Sequence, residues 1–286
     1  MITNCLREHN LEKRNPRSVP CTPESVKALQ VAQHGYVEYD KERYTKYRSM
    51  LGVASYVMNS VKPELMFAVS VASQYMSCPS EVAMIFVINI LLYLKSVQHV
   101  PFTFMRIDLS KTDWAIMFCD ASLGNRDARR SQTCYLAFLF GNLISWSSRF
   151  QPAVALSVAE SEFMALSAAG QFGCWFVRVL NEIGVQKLDA IKIFTDSQSA
   201  IHIAHNPLCN KYTKHISLRF EWLKQAVQHH VLKPLFMRSA NNYSDIGTKA
   251  LLKNHFLDMM KVLLGVAKLN VVSERACDQF DKYIID

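Results

Sequence analysis

At 286 residues, half of them apolar and a fifth charged, the chain has a globular composition and the length for one large core or two modest ones. A formal net charge of +8 and a pI near 9.0 favour an anionic partner, because excess Lys and Arg attract phosphate, although a solvated basic surface without a partner has the same composition. Cys5, Cys21, Cys78, Cys119, Cys134, Cys174, Cys209 and Cys277 form no Cys-x-x-Cys and no zinc-ligand spacing, so buried, reduced thiols of an intracellular protein are expected and a disulfide framework is not.

Residues 1–46 are polar and broken by Pro16, Pro20 and Pro23, which predicts a weakly ordered N-terminal arm. The arm carries Arg7, Glu8, His9, Glu12, Lys13, Arg14 and Arg17 and no apolar core of a secretory signal, so a cytoplasmic or nuclear location is expected. Over 47–106 the pattern turns helical, with segments Met50–Met58, Pro63–Met76 and Ser80–Ser96 and with Pro63 and Pro79 placed for first helical turns. Val82 to Leu94, the most apolar stretch, is too short to span a bilayer and contains Asn89, so a core or partner-facing helix is expected and a membrane partner is not.

After Pro101 the period shortens. Trp114–Cys119, Thr133–Phe140 and Asn142–Ser148 read as antiparallel strands, with Gly141-Asn142 as a tight hairpin turn. Ser157–Ile183 follows as a long helix stopped by Gly184, then strand Ala190–Thr195, helix Ser197–His205, helix Ile216–His229, strand Val231–Met237 and a helix over Asn242–Leu264. Residues 266–286 read as a C-terminal tail. Three strands followed by alternating helices and strands predict an α/β protein with a mixed sheet covered by helices and preceded by a small helical region. His202 and His205 share a helix face without an acidic partner at ligand spacing and read as surface histidines.

Four acids stand in short local patterns: Asp120 in Phe-Cys-Asp-Ala-Ser, Glu162 in Ala-Glu-Ser-Glu-Phe-Met-Ala-Leu, Asp196 in Thr-Asp-Ser-Gln-Ser-Ala and Asp245 in Asn-Asn-Tyr-Ser-Asp-Ile. Asp120 and Asp196 close strands, Glu162 lies in the first turns of the long helix, and Asp245 lies near the start of the last one. Carboxylates brought together repel unless cations neutralise them, and Mg²⁺ does so with oxygen ligands. Two such ions could activate a water and stabilise the attacking and leaving oxygens of a phosphodiester hydrolysis. Taken singly, Asp196 and Asp245 have a plainer reading as helix caps and Glu162 as a solvated face residue, and spacing leaves the choice between Glu160 and Glu162 open.

The ordered motifs go further. Cys-Asp-Ala-Ser at 119–122, Arg-Arg-Ser-Gln-Thr at 129–133, Gly-Asn-Leu-Ile-Ser-Trp-Ser-Ser at 141–148, Val-Ala-Leu-Ser-Val-Ala-Glu-Ser-Glu-Phe-Met-Ala-Leu at 154–166, Thr-Asp-Ser-Gln-Ser-Ala at 195–200, Thr-Lys-His-Ile at 213–216 and Asp-Ile-Gly-Thr-Lys at 245–249 resemble ribonuclease H over 107–265. More narrowly, they resemble the ribonuclease H region at the end of a Ty1/copia-type retrotransposon Pol polyprotein. Tyr-Arg-Ser-Met-Leu-Gly-Val-Ala-Ser-Tyr-Val-Met-Asn at 47–59, Lys-Pro-Glu-Leu-Met-Phe-Ala-Val-Ser at 62–70 and Leu-Leu-Tyr-Leu-Lys-Ser at 91–96 resemble the last helices of such an element's reverse transcriptase.

The resemblance implies a five-stranded mixed sheet and selects Glu162 over Glu160. It implies two Mg²⁺ ions, replaceable by Mn²⁺: Asp120 would bridge them, Glu162 and Asp196 would complete their shells, and Asp245 would hold the second ion and help product leave. The implied reaction is hydrolysis of the RNA strand of an RNA/DNA hybrid, which requires sensing the 2′-hydroxyl and helix shape. Ser122, Asn125 and Gln198 beside the metal motifs have the donors and acceptors for this, and Arg129, Arg130, Lys214 and His215 could hold flanking phosphates; turn, cap or surface-pair roles are the plain alternatives. The rest of a reverse-transcriptase polypeptide is an implied partner.

The chain contains no Asp-Asp pair, so DNA synthesis is not expected of it. Arg238 to Ser244 lacks the histidine that cellular ribonucleases H carry before the last acid, Val82–Leu94 is more apolar than the family's counterpart helix, and Ala250 and Leu252 stand where the family holds Pro. A non-catalytic Pol fragment that binds nucleic acid or protein through its helical region is the alternative expectation.

Overall fold

The N-terminal residues are polar and proline-broken, yet they form α1 (Ile2–Glu8) and α2 (Pro23–Gln33) in the computed structural model, which describes residues 1–33, 37–106, 114–124, 130–184, 190–205 and 217–269. The expectation of a weakly ordered arm missed how few apolar residues are needed when a neighbour supplies the rest of the core. Cys5, Leu6, Leu11 and Leu29 are all buried. Backbone groups of the arm are also tied down: Lys95 Nζ donates to the carbonyls of Glu12 and Arg14 at 2.6 and 2.7 Å, and Ser96 Oγ donates to that of Arg17 at 2.8 Å.

Three longer helices follow. Asp40 accepts hydrogen bonds from the N–H groups of Glu42 and Arg43 and so caps α3 (Lys41–Ser60). Pro63 opens a 3-10 turn, Pro63–Leu65, that runs into α4 (Met66–Ser73). Ser80, which accepts from the N–H of Ala83, caps α5 (Glu81–Val97), so Pro79 precedes the cap and is not in the first turn. α5 is apolar on nearly every side because α1, α2, α3 and α4 all pack against it. Among its large apolar residues Ile85 alone is exposed, so of the two roles expected for this helix, core or partner-facing, the structure shows the core one.

The second compact unit holds the described residues between Met105 and Asp245, together with Lys268 and Leu269. Its elements are β1 (Ala115–Ser122), β2 (Gln132–Leu139), β3 (Asn142–Phe150), α6 (Val158–Glu182), β4 (Ile191–Thr195), α7 (Gln198–His205), α8 (Ser217–Gln228) and β5 (Leu232–Phe236). They build the expected mixed five-stranded sheet, in the order β3-β2-β1-β4-β5. β1, β2 and β3 pair antiparallel, whereas β4 lies parallel to both β1 and β5, as helical crossovers require. The hairpin turn sits one residue earlier than expected: Phe140 and Gly141 both take positive φ, at 51° and 76°, and Asn142 opens β3. Trp114 stacks on Phe140 and accepts its N–H at 2.6 Å, which offsets the unfavourable conformation of a residue with a side chain.

α6 lies along the sheet. A Cβ on Gly173 would meet Ile191 at 3.0 Å, and one on Gly170 would meet Leu232 at 2.8 Å, so the two glycines let the helix approach β4 and β5. By length and composition α6 could cross a membrane, but 61% of its apolar window is buried inside the protein. The six cysteines among the described residues are free thiols.

The chain ends differently from the single helix expected over Asn242–Leu264. Two 3-10 turns, Ser239–Asn241 and Tyr243–Gly247, come first, then an extended stretch through Ala250 and Leu252, and only then α9 (Lys253–Leu263). Residues 246–267 group with the first unit, not with the sheet as expected for 107–265. There Phe256 packs edge-on against Tyr93, whose hydroxyl donates to Glu64 Oε1 at 3.1 Å. Glu64 is 1% exposed, and its other oxygen has no partner among the described residues.

Burial pushes the Glu64 carboxyl up from 4.5 to about 7, with Lys62 pulling the other way. The folded protein therefore keeps a proton that the unfolded chain gives up above pH 4.5, and stability falls as pH rises through the window from 4.5 to about 7. The loss is up to about 3 kcal/mol. Urea denaturation at pH 5 and pH 7.5 should show it in the wild type, and Glu64→Gln should flatten it; an unchanged slope in the variant would contradict the assignment.

Candidate active site

The parallel register of β1 and β4 sets two acids side by side. Phe118 stands opposite Phe194, and Asp120 and Asp196 each follow two residues later. A two-residue step in an extended chain returns to the same face, so the carboxylates emerge together on neighbouring strands spaced roughly 4.8 Å apart. Beneath them the rings of Phe118 and Phe194 stack with centroids 5.5 Å apart. β1 continues to Ser122, so Asp120 is buried within the strand opposite Cys134 and does not close it. Asp196 is half-buried, directly after β4.

The third acid comes on the 3-10 turn Tyr243–Gly247, ahead of the last helix and not within it. Tyr243 packs edge-on against Phe118 at 5.3 Å, which carries Asp245 to the same edge. Asn242 is fully buried between the two turns. Its Nδ2 donates to the Cys119 carbonyl at 3.1 Å, its Oδ1 accepts from the N–H and hydroxyl of Ser244, and its carbonyl accepts from the Asp245 N–H at 3.1 Å.

One oxygen each of Asp120, Asp196 and Asp245 lies within 4.8 Å of the others. At that separation two ionised carboxylates repel by on the order of 3 kcal/mol at an effective protein dielectric of about 20. The donors are all carboxylate oxygens, which suits a hard divalent cation and offers no soft ligand. The residues present therefore fit a divalent metal ion.

The first turn of α6 distinguishes its two glutamates. Ser157 Oγ accepts the Glu160 N–H at 3.2 Å, while Glu160 Oε2 accepts the Leu156 N–H at 2.6 Å, a reciprocal cap that occupies Glu160. Glu162 turns to β1 instead, where its Oε2 accepts the N–H of Ala121, next to Asp120, at 3.1 Å. Gln151 anchors the turn by donating to Thr133 Oγ1 and to the Ser161 carbonyl. Burial, with the carboxylates of Glu162 and Asp120 close by, pushes the Cys119 thiol well above its usual range and keeps it protonated.

Of the residues expected to touch nucleic acid, Ser122 is half-buried two positions beyond Asp120, Gln198 is exposed at the first residue of α7, and Arg130 is exposed before β2. Asn125, Arg129, Lys214 and His215 lie outside the described residues. Two participants went unread in the sequence. Ser157-x-x-Glu160 is a visible capping spacing that would have set Glu160 aside, whereas Asn242 carries no local signal, because its partner Cys119 is 123 residues away.

The parallel pair and the 3-10 turn together bring three carboxylates to one edge of a mixed five-stranded sheet, an arrangement consistent with a ribonuclease H-type, metal-dependent nuclease site. No family model matches the chain. Over 266 residues it is 30% identical to the retrovirus-related Pol polyprotein from transposon TNT 1-94 of Nicotiana tabacum, covering 93% of this chain and 20% of that one. Over 135 residues, 45% of this chain and 89% of the other, it is 37% identical to secreted RxLR effector protein 161 of Plasmopara viticola. The crystal structure of ribonuclease H1 from Halobacterium salinarum aligns with 50% of this chain and 97% of that chain, at 13% identity and a TM-score of 0.35. The chain spans a fifth or less of the Pol polyproteins that it matches. Its sequence is thus similar, over most of its length, to portions of retrotransposon Pol polyproteins.

The two glutamates should separate by experiment. Glu160→Ala should lower stability by about 1 kcal/mol in urea denaturation and leave Mn²⁺ affinity unchanged, as loss of a helix cap does. Glu162→Gln should weaken Mn²⁺ binding about tenfold or more at little cost in stability. The reverse pairing would contradict the assignment.

Proposed function

We propose that the protein is a metal-dependent endonuclease that hydrolyses the RNA strand of RNA/DNA hybrids, with no polymerase activity of its own. The observation that carries this reading is the convergence of Asp120, Asp196 and Asp245 within 4.8 Å at the edge of the parallel strands. These three residues would hold divalent ions, with Glu162 beside them; two Mg²⁺ ions, or Mn²⁺ in their place, are the cofactor of the reading. When bound, such ions supply an activated water and neutralise charge on the phosphate in flight.

The chain's own residues supply placement. β1 and β4 fix the spacing of Asp120 and Asp196, and the turn at Tyr243 presents Asp245 from a third direction. Glu162, held by the Ala121 N–H, stands where it can take or release a proton next to Asp120. Ser122 and Gln198, close in sequence to two of the acids, are the proposed contacts to the hybrid's sugar edge together with Asn125. Arg130 is exposed and would bind a flanking phosphate; Arg129, Lys214 and His215 have the same proposed role. A reverse-transcriptase polypeptide is the proposed protein partner.

A second reading, a non-catalytic Pol-like fragment with a binding role, draws on the 37% identity to a protein named as a secreted effector. Cleavage of a labelled RNA/DNA hybrid with Mg²⁺ or Mn²⁺ distinguishes the two. The first reading expects cleavage by the parent and a loss of at least about 100-fold in Asp120→Asn and in Asp196→Asn. Equal, negligible cleavage by all three folded proteins would overturn it and favour the second.

A further inference from the structure

We infer that Asn242 is a positioning residue that sets the distance between Asp120 and Asp245, and through it the affinity of the site for a divalent cation. The inference rests on the metal-site reading above. Asn242 is 0% exposed and bridges the two segments that deliver these acids. On one side its Nδ2 donates to the carbonyl of Cys119, which belongs to the same peptide unit as the Asp120 N–H. On the other, its Oδ1 accepts both the N–H and the hydroxyl of Ser244, the residue before Asp245, while its own carbonyl accepts the N–H of Asp245.

Only a side-chain amide meets both demands at this length. The carbonyl at Cys119 needs a donor, and the Ser244 groups need an acceptor. Ala would leave a buried carbonyl, N–H and hydroxyl short of a partner. Asp would present an acceptor to a carbonyl and add a fourth negative charge beside the three clustered carboxylates. The backbone of Asp245 has no strand ladder to place it, since it lies on a 3-10 turn. The amide bridge supplies the register that pairing of β1 with β4 supplies for Asp196.

A structural asparagine elsewhere in the same unit provides the control. Asn142 clamps Met105 with Oδ1 accepting its N–H at 2.6 Å and Nδ2 donating to its carbonyl at 2.9 Å. It stands at the hairpin, at the end of the sheet opposite Asp120. Mn²⁺ binding to the full chain, titrated by electron paramagnetic resonance without nucleic acid, is the readout, beside thermal denaturation of each metal-free variant.

Asn242→Ala is expected to weaken Mn²⁺ binding about 10- to 100-fold, and Asn242→Asp to weaken it as well. Ser244→Ala, which leaves the bond to Cys119 intact, should have a smaller effect, and Asn142→Ala should bind Mn²⁺ as the parent does despite a similar loss of thermal stability. Parent-like Mn²⁺ affinity in Asn242→Ala, equal weakening in Asn142→Ala, or a parent that binds no Mn²⁺ would each overturn the inference. A parent that binds Mn²⁺ in an Asn242-dependent way but leaves hybrid uncut would support it and sink the hybrid-nuclease reading alone.

Discussion

Everything at the candidate site depends on the parallel pairing of β1 with β4. Antiparallel strands would have carried Asp120 and Asp196 to opposite ends of the sheet. Running the same way, with Phe118 level with Phe194, they bring both acids to one edge on one face. The helix α6 carries the chain from β3, at one edge of the sheet, past β2 and β1 to β4, and so makes that pairing possible. It delivers Glu162 to the same edge. The glycines at 170 and 173 let this helix lie close enough to the sheet for its first turn to reach Ala121.

The constraint has an electrostatic side. Carboxylates crowded within 4.8 Å oppose folding unless a cation joins them, so the scaffold below has to hold them in place. Phe118 is central to that scaffold: Phe138, Phe194 and Tyr243 all pack on its ring, from β2, β4 and the turn that carries Asp245. An aromatic cluster under the acids resists collapse and excludes water from one side, while the edge above stays open enough to leave Asp196 half-exposed.

Much of this was legible in the sequence wherever the signal is local. Alternation marked β1, β2 and β3, and the apolar run ending in Thr195 marked β4, so the mixed sheet is legible in the sequence. The acids were legible because each sits in a distinctive short motif, and the resemblance to ribonuclease H supplied their order. What was not legible depends on distant partners. The segment from Asn242 reads as a helix until Cys119, 123 residues away, claims its side chain. The arm reads as disordered until α5 offers Leu29 and Leu6 a surface. The hairpin shifts by one residue because Trp114 stabilises Phe140 in a conformation that its own sequence disfavours. Glu160 is the exception, since its capping spacing was local and readable.

Anomalous diffraction from crystals of the full chain soaked in Mn²⁺ tests the central claim most directly. The account predicts a metal peak bonded at about 2.0–2.2 Å to oxygens of Asp120, Asp196 and Asp245. Mn²⁺ bound elsewhere, or absent while the three carboxylates stand together as described, would contradict it.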